Sequence, residues 1–275
     1  MRQYAKNVLR GVRRNLLQYV GAVLIIALAV TVFIGLYDYA KNLEENAVPY
    51  FDDYDFADIF AEVEGISESE LTLLKETEGV SDIFGRQSVD VRLETGEAQI
   101  VTLHLLAYTP QDTMNRMKIS AEDGQIAGSE IYLSKAMQNR RQYAPGDTLA
   151  LILNGTRTEL GYAGTVISPQ YIYYVPSGDI EAPVDDLYAI AAVDKAKLEQ
   201  MTGRPGEVNE IGVRLSAGAD VERVRDIIEA RLGEMGTVLS VYTRKDQSAY
   251  DTLTGEIETY ETISYIPPPT TRCRR

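Results

Sequence analysis

The sequence predicts an α+β protein with one N-terminal transmembrane helix, stalk helices and a two-lobed extracytoplasmic domain. The first observation is an uncharged, mostly apolar run of 23 residues, 15–37. The second is the length of the chain beyond it, roughly 230 residues, which is enough to bury a core in two lobes. The third is the alternation of β-rich runs with helical periodicities, which indicates a discontinuous lobe of β-α-β-β and β-α-β segments around an inserted, mostly β lobe.

Residues 16–37 are predicted to cross a membrane. The 23-residue run forms a helix about 35 Å long, against a hydrocarbon core of about 30 Å. Residues 1–15 are a basic, amphipathic segment without acidic side chains. Basic flanks stay in the cytoplasm, so the N-terminus is expected there, with the residues after Tyr37 outside the cell membrane. The basic side chains are Arg2, Lys6, Arg10, Arg13 and Arg14.

A cleavable signal peptide and a buried core helix are the competing interpretations of this run. The run is longer than a signal-peptide core of about 7–15 residues, and the small residues Ala27 and Ala29 lie in its middle. No polar face interrupts the run, which disfavours a core helix. A retained membrane anchor is therefore the favoured interpretation.

The part of the chain that follows the anchor is strongly acidic. The whole chain has 27 basic and 41 acidic residues and a net charge of −14. Residues 38–269 alone carry 19 basic and all 41 acidic groups, a net charge of −22. Such a surface repels nucleic acid and anionic headgroups, so nucleic-acid binding is not expected.

The chain has one cysteine, Cys273, and one histidine, His104. An intrachain disulfide is therefore excluded, and a catalytic triad or histidine-based metal site would have to be built around His104. His104 lies in the apolar, strand-like run VTLHLLAY, where a structural histidine is favoured over a catalytic one.

Residues 38–48 are predicted to continue the membrane helix as a stalk that ends before Pro49. The first lobe is assigned to residues 49–108 and 206–246. A strand after Asp58 precedes the capping-box pattern Ser67-Glu-Ser-Glu70, which opens a helix to about Glu76. The later elements are a hairpin of the β-rich runs 80–94 and 98–108, a strand 208–215, a helix from Val221 that Gly233 ends, and a strand 238–242.

The second, mostly β lobe is assigned to residues 109–205. A short strand ends at Ser134, which caps a helix, and Asn154-Gly155 joins the strands 148–153 and 158–168 in a hairpin. Four tyrosines crowd this lobe and are interpreted as half-buried strand residues in preference to an aromatic surface for a partner. They are Tyr171, Tyr173, Tyr174 and Tyr188.

Residues 247–266 are predicted to form a returning stalk helix, antiparallel to the first. Tyr250, Leu253, Ile257 and Tyr260 recur at intervals of three and four. Residues 267–275, PPPTTRCRR, are an aberrant tail at the point where a second membrane segment is expected.

No catalytic, cofactor-binding or metal-binding residue is assigned, and an enzyme is not predicted. The Walker A, Gly-x-Ser-x-Gly and His-Glu-x-x-His patterns are missing from the sequence. Acidic clusters that permit calcium binding in principle match no EF-hand loop and are interpreted as solvated faces. The clusters are Asp52, Asp53, Asp55 and Asp58; Glu62 and Glu64; and Asp185 and Asp186.

The ordered series of segments resembles the FtsX/MacB-type ABC transporter permeases over residues 1–266. The resemblance begins with the basic N-terminal helix and the single span. Three later stretches are together similar to the MacB-like periplasmic core domain of these permeases. They are Ile131-Tyr-Leu-Ser-Lys-Ala, Ala144-Pro-Gly-Asp-Thr-Leu and Gly161-Tyr-Ala-Gly-Thr-Val-Ile-Ser-Pro-Gln-Tyr-Ile-Tyr173. It implies a permease that dimerises with a like or different permease and binds a cytoplasmic ABC ATPase. ATP hydrolysis would then move the stalks and the external domain to expel a substrate or transmit force.

The sequence departs from the family pattern near Tyr265, where the second of four spans is expected. A frameshifted or prematurely ended permease is the favoured hypothesis for residues 267–275. The alternative is a single-span, membrane-anchored extracellular binding or sensor domain, which needs no second span. A membrane-anchored hydrolase is disfavoured because the chain has one histidine and no nucleophile motif.

Overall fold

The computed structural model of the chain describes residues 15–96, 100–172 and 187–265. The chain divides into two compact units, Met1–Val48 with Leu253–Arg275, and Pro49–Thr252. The basic segment 1–14 and the tail 267–275 lie outside the described residues, as do Tyr173, Tyr174, Asp185 and Asp186.

The first unit is built from parts of two helices, α1 (Leu16–Asp53) and α6 (Ser248–Tyr265). Among the described residues, α1 is the one helix that is long and apolar enough to cross a membrane, and none of its most apolar stretch is buried. The interpretation of this run as a buried core helix is therefore wrong. The two helices meet where the rings of Tyr39 and Tyr260 pack edge to face, with centroids 5.0 Å apart.

The helix α1 does not end before Pro49, as the sequence predicted, but continues to Asp53. Proline inside a helix removes a backbone hydrogen bond and crowds the preceding turn. Packing after the proline offsets this cost, because Phe51 is fully buried and its ring lies 4.6 Å from that of Phe56 and 5.2 Å from that of Tyr250. Tertiary burial has overridden the local preference.

The second unit contains a four-stranded antiparallel sheet in the order β11-β1-β10-β2. Two helices, α2 and α5, cover one face of this sheet and share its apolar core. The helix α2 begins with the predicted capping box, in which Ser67 and Glu70 satisfy each other's backbone N–H. The bounds are β1 (Ile59–Ser67), α2 (Glu68–Leu74), β2 (Val80–Arg86), β10 (Glu207–Leu215), α5 (Val221–Met235) and β11 (Val238–Thr243).

The second unit also contains a closed barrel of six strands, β7-β8-β6-β9-β4-β3, in which β3 pairs back onto β7. The ring closes through two residue pairs, Arg92 with Ile152 and Leu93 with Leu151, and the short β5 pairs with β8 outside the ring. Alternate apolar residues such as Leu103, Leu105 and Ala191 fill the interior. The bounds are β3 (Ser88–Leu93), β4 (Val101–Tyr108), β5 (Lys118–Ile119), β6 (Glu130–Ser134), α3 (Lys135–Arg141), β7 (Thr148–Leu153), β8 (Thr156–Ile167), β9 (Tyr188–Asp194) and α4 (Lys195–Thr202).

The predicted β-α-β-β segment of the first lobe divides between the two sheets. The strands β3 and β4 pair as the predicted hairpin, but they belong to the barrel and not with the rest of residues 49–108. The cause is local, because Gln87 alone separates β2 from β3. The chain thus passes from one sheet to the other within a continuous β-rich run whose one glycine, Gly85, lies two residues before Gln87. The hairpin tip, residues 97–99, lies outside the described residues.

The Asn154-Gly155 turn forms as predicted, whereas the helix α5 ends later than predicted. Asn154-Gly155 forms the tip of the β7–β8 hairpin, where both residues have positive φ angles, 48° and 80°, as a type I′ turn requires. The helix α5, in contrast, does not end at Gly233 but continues to Met235, with Gly236 at its C-cap. Burial of Leu232 and packing of Met235 against the core outweigh the helix-breaking tendency of the glycine.

Candidate functional site

The four-stranded sheet carries a row of polar residues that face the barrel. Strand register places Ser240 opposite Glu62, Glu62 opposite Glu210, and Glu210 opposite Arg86, so the row crosses all four strands. Cross-strand neighbours on one face lie close enough to interact, and two carboxylates opposite each other are unfavourable unless a cation joins them.

The barrel supplies that cation from its outer face. Asp90 on β3 lies directly opposite His104 on β4, and both side chains alternate with the residues that fill the barrel. His104 Nε2 reaches Glu210 Oε1 at 3.0 Å, and its Nδ1 reaches Asp90 Oδ1 at 2.7 Å. We call Glu62, Arg86, Asp90, His104, Tyr171 and Glu210 the polar junction.

The geometry identifies His104 as an imidazolium. Both ring nitrogens face carboxylate oxygens, and only the protonated ring donates from both nitrogens. Burial opposes protonation of His104, but the hydrogen bonds and charges of Asp90 and Glu210 outweigh it and raise its pKa to about 9. Burial likewise tends to raise the pKa of Glu210, but His104 and Arg86 lower it to about 2. The two groups therefore hold opposite charges at neutral pH.

Arg86 provides a second, buried cation next to Glu210. Its side chain is 2% exposed, and its Nε lies 3.8 Å from Glu210 Oε2. Its Nη2 donates to the backbone oxygen of Asn115 at 2.9 Å, and its guanidinium carbon lies 4.8 Å from the centre of the Phe84 ring. Arg86 thus offsets the charge of Glu210 near its Oε2 without a hydrogen bond to it, and ties the loop at Asn115 to the sheet.

Two tyrosines complete the surroundings of these carboxylates. Tyr171 donates its hydroxyl to Glu210 Oε1 at 2.8 Å, and its ring lies 5.2 Å from that of His104. Tyr242 donates to Glu62 Oε1 at 3.4 Å. Burial and the charge of Glu210 raise the pKa of Glu62. Burial and the neighbouring carboxylates also raise the pKa values of both tyrosines, so they act as neutral donors.

A paired amide contact lies beside the polar junction. Ser88 at the start of β3 donates its backbone N–H to Asn209 Oδ1 at 2.7 Å, and Asn209 Nδ2 donates to the backbone oxygen of Ser88 at 3.0 Å. Gln87, the residue between the sheets, donates to the backbone oxygen of Arg204 at 3.0 Å. Neutral contacts of this kind fix the position of the two sheets, while the junction adds a charged contact.

An open cleft of about 450 Å³ lies over the junction. Glu62, Asp90, His104 and Glu210 supply its charged lining, and Leu239 an apolar part. Since both nitrogens of His104 are engaged, the ring has no free lone pair with which to act as a general base. Among the described residues, no group of three or more His, Cys, Asp or Glu side chains is arranged to hold a metal ion. The contacts of the polar junction join the barrel to the four-stranded sheet.

In the acidic cluster at the end of α1, Asp52 and Asp53 are exposed, as expected of a solvated face, while Asp52 and Asp55 also form ion pairs. Asp55 lies 2.8 Å from Arg116 Nε and 3.0 Å from Arg214 Nη2. Asp52 lies 2.9 Å from Arg244 Nη2, and the Arg244 guanidinium sits over the rings of Phe56 and Tyr250 at 5.4 and 5.2 Å. These arginines offset the unfavourable charge of aspartates near a helix C-terminus.

Two junction residues, His104 and Glu62, stand out in the sequence, but nothing there predicts their contact with the same group. Glu64, grouped there with Glu62, is exposed. Arg86 and Glu210 were missed, and Tyr171 was noted only as one of several tyrosines. One signal was available, because Arg86, His104 and Glu210 are ionisable residues inside β-rich runs. Their meeting depends on strand register, which the sequence does not contain.

No protein-family model matches the chain, and no curated protein matches it. Among solved structures, it is similar to the extracellular domain of the noncanonic ABC-type transporter YknZ from Gram-positive bacteria, with 13% identity over 67% of this chain and 99% of that one, at a TM-score of 0.39. It is also similar to the periplasmic region of MacB from Actinobacillus actinomycetemcomitans, with 10% identity over 73% of this chain and 91% of that one, at a TM-score of 0.37. At such identity, the roles of the junction residues rest on this chain's own geometry.

Proposed function

We propose that this chain is a permease subunit of an ABC-type exporter or mechanotransmission complex. Residues 16–37 anchor it in the cell membrane, with the N-terminus in the cytoplasm. A cytoplasmic ABC ATPase and a second permease subunit, like or unlike, are its partners. Its external domain couples ATPase-driven motion of the stalk helices to expulsion of a substrate or to signalling.

The observation that carries this proposal is the composition of the helix α1. Its N-terminal half is apolar and exposed, as a membrane span requires, whereas Phe51 near its other end is fully buried in a folded domain. The helix α6 contributes Tyr250 to the aromatic cluster of Phe51 and Phe56. A displacement of either helix along its axis must therefore act on the core of the domain.

A cross-linking experiment tests whether the helices move with nucleotide. Tyr39→Cys and Tyr260→Cys are introduced together in a Cys273→Ser background, because these two rings are in contact. Membrane vesicles from the source cells are treated with a short bis-maleimide, with and without ATP and vanadate. We expect the rate of intramolecular cross-linking to change at least about twofold with nucleotide.

A matched control pair joins two parts of the barrel itself, where no nucleotide-dependent motion is expected. Glu94→Cys with Arg157→Cys replaces an exposed ion pair of 2.8 Å between the residue that follows β3 and a residue of β8, across the intervening strand β7. Its cross-linking rate should be the same with and without ATP. A rate for the Tyr39 and Tyr260 pair that is equally insensitive to nucleotide would contradict the proposal.

A single-span binding or sensor domain is the second candidate function. The cleft of about 450 Å³ over the polar junction favours it, because this volume is in the range of small-molecule sites. Such a domain has no coupled ATPase, so its stalk cross-linking would be independent of nucleotide. The same experiment therefore separates the two candidates.

A further inference from the structure

We propose that the start of α6 is latched to the polar junction through the short segment 168–171, so that moving this helix loosens the contact between the two sheets. The role of this latch in the cell rests on the proposed function, because the latch is the route by which motion of the stalk helices would reach the two sheets. Its geometry rests on contacts within the unit Pro49–Thr252 alone.

The first link is Gln247, the buried residue that caps α6. Its side-chain oxygen accepts from the backbone N–H groups of Ala249 and Tyr250 at 2.8 and 3.1 Å. Its side-chain nitrogen donates to the backbone oxygen of Gln170 at 2.7 Å. One 3%-exposed amide thus holds the first turn of the helix and a distant segment together.

The second link is the single turn of 3-10 helix formed by Pro169–Tyr171. Ser168, Pro169 and Gln170 are all buried, so this turn has little room to move independently of its neighbours. Tyr171, its last residue, donates to Glu210 Oε1 at 2.8 Å. The turn therefore connects Gln247, through its hydrogen bond to Gln170, with the Glu210 carboxylate, through the hydrogen bond from Tyr171.

The third link is Glu210, whose Oε1 also accepts from His104 Nε2. The same carboxylate oxygen thus receives a donor from the latch and a donor from the barrel. If the start of α6 is displaced, either the Gln247–Gln170 bond breaks or Tyr171 is drawn away from Glu210. Removing a donor from a buried carboxylate is costly, so the junction is expected to respond in discrete steps.

The lone histidine gives a direct readout of this coupling. Because His104 is the chain's one histidine, its imidazole N–H signals in nitrogen-edited NMR need no assignment among several rings. The full-length chain is placed in lipid nanodiscs, and two rates are measured. They are solvent exchange of the His104 Nε2–H and hydrogen exchange of the Ala249 and Tyr250 amides.

Two neutral variants cut the latch at opposite ends. Gln247→Ser keeps a capping hydroxyl but cannot reach Gln170, and Tyr171→Phe removes the hydroxyl alone. We expect Gln247→Ser to speed exchange of the His104 Nε2–H about fivefold, although Gln247 and His104 share no hydrogen bond. We expect Tyr171→Phe to speed exchange of the two α6 amides by a similar factor, since coupling between two sites is reciprocal.

Controls separate the latch from local damage. Gln200→Ser changes an exposed glutamine on α4 and should leave both rates unchanged. If Gln247→Ser unfolds the helix start, Gln247→Glu retains the capping oxygen and removes the donor. Variants that change only the rate at their own end would overturn the latch. This experiment needs no ATPase, so its outcome is independent of the nucleotide-dependent cross-linking that tests the proposed function.

Discussion

His104 Nε2 lies 3.0 Å from Glu210 Oε1, and this contact joins a barrel strand to an inner strand of the four-stranded sheet. As whole residues, Glu210 and its other cationic neighbour, Arg86, are 5% and 3% exposed to solvent. A buried carboxylate between two cations is stabilised only while both stay in place. The contact between the sheets therefore includes a buried charge balance around Glu210.

Glu210→Gln tests how much the junction contributes to stability. The substitution keeps the shape but leaves Arg86 and the His104 imidazolium without their shared anion. Removing one partner of a buried ion pair costs roughly 3–5 kcal/mol. We expect the free energy of unfolding of the full chain in detergent to fall by about this amount, followed in urea by tyrosine fluorescence, since the chain has no tryptophan.

The matched control for this prediction is Glu64→Gln, an exposed glutamate on the same strand as Glu62. Its effect should stay within about 0.5 kcal/mol, as for most surface substitutions. A loss below about 1 kcal/mol for Glu210→Gln would mean that the junction is not a stabilising contact.

The pH dependence of stability should identify the His104 imidazolium. Its pKa is about 9 when folded and near 6.5 when unfolded, so its contribution is complete below pH 6.5 and is lost as pH rises to about 9. The difference in unfolding free energy between the native chain and His104→Gln should shrink by an amount on the order of 3 kcal/mol over this range.

Taking the difference between two proteins cancels the groups that His104 does not perturb, such as Asp112, whose pKa burial raises to about 6. The charge of His104 lowers the pKa values of Glu210 and Glu62, so any change in their titration belongs to the measured difference. A difference that stays constant from pH 6.5 to 9 would show that His104 is neutral in the folded chain.

Gly79→Ala tests a close approach between the first and last parts of the four-stranded lobe. Gly79 has a φ of +90°, and an added Cβ would lie 2.7 Å from Val224 Cγ2 on α5. Backbone strain of about 1–2 kcal/mol and overpacking of about 1–3 kcal/mol should both apply. We expect a loss near 3 kcal/mol in the free energy of unfolding.

Gly203→Ala separates the two costs. Gly203 has a φ of +71°, but an added Cβ would meet no atom within 4 Å. Its alanine variant should therefore lose about 1 kcal/mol, from strain alone. Equal losses for the two variants would argue that α5 moves away from Gly79 without cost.

The sequence predicts elements whose signals are local. The Ser67–Glu70 capping box and the Asn154-Gly155 turn each contain, within four residues, the groups that satisfy or shape the backbone. Gln87 carries no such signal. The sequence therefore does not predict that the chain passes from one sheet to the other at this residue. The difference lies in what each feature depends on, local backbone chemistry in one case and strand pairing in the other.

The polar junction could be predicted only in part for the same reason. His104 and Glu210 lie 106 residues apart in the chain. In the sequence, each is a single polar residue within a separate apolar strand. Their contact requires the register of two sheets and the position of one sheet over the other. Long-range pairing of this kind is set by the whole core and has no short motif.

Pro49→Ala tests whether packing after the proline offsets its cost within α1. Alanine restores the N–H that proline lacks and removes the clash of its ring with the preceding turn, together worth up to about 3 kcal/mol. Since Phe51 already fixes the helix end in the core, the substitution should raise the free energy of unfolding and slow amide exchange over residues 50–53. Pro145→Ala, in an exposed turn before β7, is the control and should not stabilise the chain. If Pro49→Ala instead speeds exchange at residues 50–53, the proline is itself required for the path of the helix into the domain.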